Sequence, residues 1–60
     1  MSAEYLQGVR AAVNDLTSGN VGDPEMGARN PHDGQHFDLE RYKDWESGYN
    51  TTVAKQKQVA

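Results

Sequence analysis

The run HDGQH sets His32 and His36 four residues apart, with Asp33 beside the first. On a helix, two histidines at that spacing can share a metal ion, with Asp33, Asp38 or Asp23 as a third ligand. Pro31 and Gly34 in the same stretch favour a turn instead. The reading is therefore two solvated loop histidines, with no metal and no cofactor. Phosphoryl transfer needs a cradle of backbone amides, a positioned base and usually Mg²⁺ held by acids. The glycine-containing SGNVGD at 18–23 has no lysine after it and no strand before it, so it reads as a flexible turn. Ser47, His36 and Asp38 form a nucleophile, base and acid set of a kind that nearly any chain offers. NTT at 50–52 matches a glycosylation acceptor but falls on a predicted helix. A chain of 60 residues also has little room for a pocket that excludes water. No catalytic residue is assigned, and the expectation is a protein that is not an enzyme.

Binding chemistry is the richer possibility. Phe37, Tyr42, Trp45 and Tyr49 could stack on bases, but at helical spacing they read as core residues first. Trp45 is also a candidate interface anchor, because tryptophan and tyrosine are favoured there. The candidate partner contacts are Arg29 and His32 in the loop and Arg41, Lys43 and Trp45 on the second helix.

These residues must be positioned by two helices. Ser2 can cap the first, with Glu4 in its first turn where the helix dipole favours an acid. Tyr5, Val9, Ala12, Val13 and Leu16 then recur at a spacing of three and four, and Gly19 suits a left-handed cap. The spacing predicts a helix over about 3–17. Residues 18–37 hold both prolines and the turn-forming runs GDPEMG and NPHDG. A structureless loop of that length is unusual in a compact domain. The expectation is partial mobility, a short helical turn, or ordering on a partner. Asp38 is a good N-cap for a second helix over about 38–56. Phe37 and Tyr42 are placed to staple its start, and KQKQVA is expected to fray.

The fold class read from this pattern is all-α: a two-helix hairpin with a long, partly irregular connecting loop, in one domain. The expected core is Leu6, Val9, Val13, Leu16, Phe37, Leu39, Tyr42, Trp45, Tyr49 and Val53. That is a small set for ordering such a chain, and with no cysteine no disulfide can brace it. Dimerisation is one way to complete the core, so a homodimer is a candidate state. Gly8 and Gly48 sit beside the two apolar stripes, where each costs a helix about 1 kcal/mol relative to alanine. The expected compensation is close packing of backbone or aromatic rings, with Gly8, Gly48, Tyr49, Tyr42 and Phe37 as the structural packing residues.

Charge narrows the partner. The chain carries nine acids against six bases, a net charge of −3. That lacks the basic footprint of a general nucleic-acid binder and favours a protein partner. No apolar run approaches the ~20 residues of a membrane helix, and MSAEYLQGVR has no signal-peptide core. A cytoplasmic chain without a membrane partner is expected.

Three short motifs, QGVRAA (7–12), NPH (30–32) and WESGY (45–49), together resemble the ribosome modulation factor family. That family has two helices joined by a loop, a glycine in helix one followed by a small-residue position, a Pro-aromatic pair in the loop, and W-x-x-G-aromatic in helix two. The resemblance implies a regulator that binds the small ribosomal subunit near the messenger exit region and promotes ribosome dimers in resting bacteria. Its partner would be the ribosome and its rRNA. This chain departs from the pattern at Ala12, where the family has a second glycine, and at His32, where it has an aromatic. It is also acidic, whereas the ribosome-binding member is strongly basic. NPH and W-x-x-G-Y are likewise similar to the CrpP-like proteins of plasmids and mobile elements, which would imply an ATP-dependent, drug-modifying kinase. The remaining reading is an acidic phage or mobile-element accessory protein that inhibits a host protein by contact.

Overall fold

The computed structural model describes residues 2–35 and 38–59. It contains two helices, α1 (Ala3–Ser18) and α2 (Leu39–Val59), and no strand among the described residues. The two helices pack on each other, as the all-α two-helix hairpin requires. Ser2 caps α1 by accepting a hydrogen bond from the Tyr5 N–H at 3.1 Å, with Glu4 in the first turn. Gly19 ends α1 at φ 71°, a left-handed conformation that glycine adopts without a Cβ penalty. The Gly19 N–H, and the Asn20 N–H at 2.8 Å, both donate to the Asp15 carbonyl. The helix α2 continues to Val59, past the end expected near residue 56. Phe37, expected to staple its start, and His36 lie outside the described residues.

The helices cross where both lack a side chain. A Cβ built on Gly8 would overlap the Trp45 carbonyl oxygen and stand 3.0 Å from the Tyr49 nitrogen. A Cβ on Gly48 would overlap the Tyr5 carbonyl oxygen and stand 3.2 Å from the Val9 nitrogen. Each helix thus brings its backbone against the other's, and the expected close approach is realised reciprocally. Ala12, one turn beyond Gly8, is fully buried. Thr52 returns its hydroxyl to the Gly48 carbonyl at 2.8 Å, which satisfies that group within α2.

The core differs from the expected stripe. Among the described residues the buried hydrophobic ones are Ala12 and Trp45. Leu6 and Val13 stand 45% and 49% exposed, and Leu39 is 41% exposed. Val9, Leu16, Tyr42, Tyr49 and Val53 are half-buried. The reason is the depth of the crossing: backbones that meet at glycine leave no space between the helices for the larger aliphatic side chains.

The connecting loop is built from local turns. The Asp23 carboxylate accepts from the Glu25 and Met26 N–H groups at 2.8 and 2.9 Å. These bonds, that to Met26 first, hold the carboxyl below its usual range. The loop then returns along α1, reaching Asp15 at Ala28 and Gln7 at His32. Asn30 fastens it to α2, donating through Nδ2 to the Tyr42 carbonyl at 3.0 Å.

Candidate functional site: the cleft between the loop and the second helix

Between the loop and α2 lies an open cleft of ≈ 530 Å³. Gly22, Pro24, Ala28 and Arg29 form its loop wall, and Trp45, Glu46, Tyr49 and Asn50 are among the α2 residues facing it. Its floor is aromatic. The Trp45 and Tyr49 rings stack with centroids 5.3 Å apart and planes 10° from parallel, a geometry that adds to the area they bury.

Under this floor sits the one buried charged side chain among the described residues. Asp15 is 5% exposed. Its Oδ2 accepts from the Tyr49 hydroxyl at 2.5 Å and from the Ala28 N–H at 2.8 Å. A carboxylate removed from water needs such partners, and here they come from α2 and the loop while Asp15 itself belongs to α1. Burial, and then the bond to Asp15, push the Tyr49 phenol up to about 12. Tyr42, at the cleft edge, has its phenol raised by the neighbouring Glu46 carboxylate. Both phenols are therefore neutral donors at physiological pH.

The expected contact residues fall in different places. Arg29 lines the cleft but donates through Nη2 to the Pro24 carbonyl at 2.8 Å. Trp45 lines it too, and at 5% exposure most of its side chain is packed within the fold. The physical reason is the Gly8–Gly48 crossing, which draws this turn of α2 inward. His32 is half-buried, its N–H on the Asn30 Oδ1 at 3.0 Å and its Nε2 3.3 Å from the Gln7 Oε1. It ties the loop to α1. Arg41 is exposed, 3.5 Å from Asp38, and Lys43 is exposed on α2. His32, Arg41 and Lys43 are not among the cleft-lining residues. Of the packing residues, Gly8, Gly48 and Tyr49 meet at the crossing. Tyr42 packs its ring under Gly34, where an added Cβ would lie 3.5 Å away.

Among the described residues no group of three or more His, Cys, Asp and Glu side chains could hold a metal ion. No helix among them is long and apolar enough to cross a membrane. Sequence reasoning missed Asp15, Asn30 and Glu46. For Asp15 the signal was present: it lies three residues after Ala12 and seven after Gly8, on the face that the glycine marks. Compared with protein-family models, curated proteins and solved structures, the chain matches none.

Proposed function

We propose that this chain is a small, non-enzymatic regulatory binding protein of the ribosome modulation factor-like type that acts by contact with a protein target. The observation that supports this reading is the cleft. Its aromatic floor is pre-set by the Asp15–Tyr49 bond, and its walls offer a carboxylate at Glu46 and an amide at Asn50. A surface of mixed polarity around a rigid apolar centre suits a peptide segment of a partner. The cations favour protein over RNA. Arg29 lines the cleft while Arg41 stands beside Asp38 outside it, so the two do not gather into a phosphate-binding stripe.

A tagged chain used to capture partners from bacterial lysate tests this. The expected result is a protein partner retained after nuclease treatment and lost with Glu46→Lys. Capture of rRNA that nuclease abolishes would overturn it in favour of the second reading, a ribosome-associated regulator. That reading draws on the Gly8–Gly48 crossing, because the same two glycines carry the family resemblance. The kinase reading requires ATP turnover with a drug acceptor; the binding reading predicts none.

A further inference from the structure

Helix α1 has a second stripe that its own fold leaves on the surface. Leu6, Val9, Val13 and Leu16 recur at spacings of three, four and three, the a/d seam of two heptads. Leu6 and Val13 are half exposed, and Val9 and Leu16 are only half-buried. Two shallow grooves flank the seam, with Thr52 and Gln56 of α2 on their far side. They share no residue with the loop–α2 cleft.

The seam reads the same in both directions. Leucine, valine, valine and leucine are arranged symmetrically about residue 11. A two-fold interface requires one patch to complement itself, so that residue i meets j and j meets i. Two antiparallel α1 helices related by an axis at the level of Ala11 satisfy that with like side chains: Leu6 of one protomer meets Leu16 of its partner, and Val9 meets Val13. The need is also present, since among the described residues Ala12 and Trp45 are the buried hydrophobic ones and no cysteine supplies a staple. We propose that the Leu6–Leu16 seam of α1, where it borders Thr52 and Gln56 of α2, is the interface of a two-fold homodimer, the second copy packing its own seam antiparallel to the first.

Sedimentation equilibrium of the full chain over a concentration series tests this. The expected mass is twice 6.7 kDa, falling to the monomer on dilution. Val13→Asp should remain a helical monomer at every concentration. A wild-type monomer throughout overturns the proposal and leaves the face to a different partner; a dimer that survives Val13→Asp overturns it as well. If Val13→Asp unfolds, cross-linking decides. The natural chain has no cysteine, so Val9→Cys mixed with Val13→Cys should give a disulfide-linked heterodimer on oxidation, with Val9→Cys alone giving little. No mixed disulfide, or preferential linkage of Val9→Cys to itself, overturns the antiparallel seam.

Discussion

The two faces of α1 reverse the usual order of a helix. The face against α2 carries Gly8, Ala12 and Asp15, all buried. The face away from it carries Leu6 and Val13, both about half exposed. In an ordinary amphipathic helix the large apolar side chains face the core and the small or charged ones face water. Here the intramolecular contact is made by backbone, a methyl group and a buried carboxylate, and the aliphatic stripe is left outside. The difference teaches that the inner face selects shape and the outer one supplies area. Substitutions should therefore break the first sharply and the second only where another surface is involved.

The largest effect is expected at the crossing. Gly48→Leu would drive a branched side chain into the Tyr5 carbonyl, and circular dichroism should show loss of the fold. Gly8→Ala sharpens the point. In an open helix this change gains about 1 kcal/mol. Here the Cβ meets the Trp45 carbonyl, and overpacking of this kind costs about 1–3 kcal/mol, so urea melts should show net destabilisation.

Asp15→Ala comes next. It leaves the Tyr49 hydroxyl without its acceptor and releases the Ala28 N–H to water, at about 1–3 kcal/mol for the part-buried hydroxyl. A lowered melting temperature and loss of loop order by NMR would report it. Tyr49 also gives a pH signature. Its phenol is raised to about 12 in the fold against about 10 in the unfolded chain. The stabilisation is fully present below pH ~10 and is lost as pH rises through the folded value near 12. Alkaline denaturation should therefore begin above pH ~10, and Tyr49→Phe should flatten that part of the curve while lowering stability at neutral pH.

On the outer face the expected stability effects are smaller. Val13→Asp should abolish dimerisation with little change in the monomer's helicity. The smallest effect is expected at His32→Ala, which removes one exposed contact to Gln7; surface changes of this kind fall within about 0.5 kcal/mol.

Much of the architecture could be read from local signals. Ser2 and Gly19 announce the ends of α1 because capping is chemistry of neighbours in sequence. Gly8 and Gly48 announce the crossing, since a glycine inside a helix needs a reason. The core was less legible. Periodicity marks an apolar stripe but does not say which stripe faces the chain's own second helix, so Leu6 and Val13 were expected inside. Trp45 was readable as core or anchor, and its burial was decided by how closely two backbones approach. Asp15 was hidden because its partners are 13 and 34 residues away, joined by a loop whose path turns on tertiary contacts.

Asp15 also links three events in time. Its carbonyl ends α1, while its carboxylate holds the loop and α2. The amide of Ala28 lies in an irregular segment, where exchange with solvent would ordinarily be fast. Bound to a buried carboxylate, it should exchange only when the helices part, at the rate of the helical amides around Gly48. The loop and the helix pair would then open as one unit, and a single deuterium-labelled amide would report the opening of the whole chain.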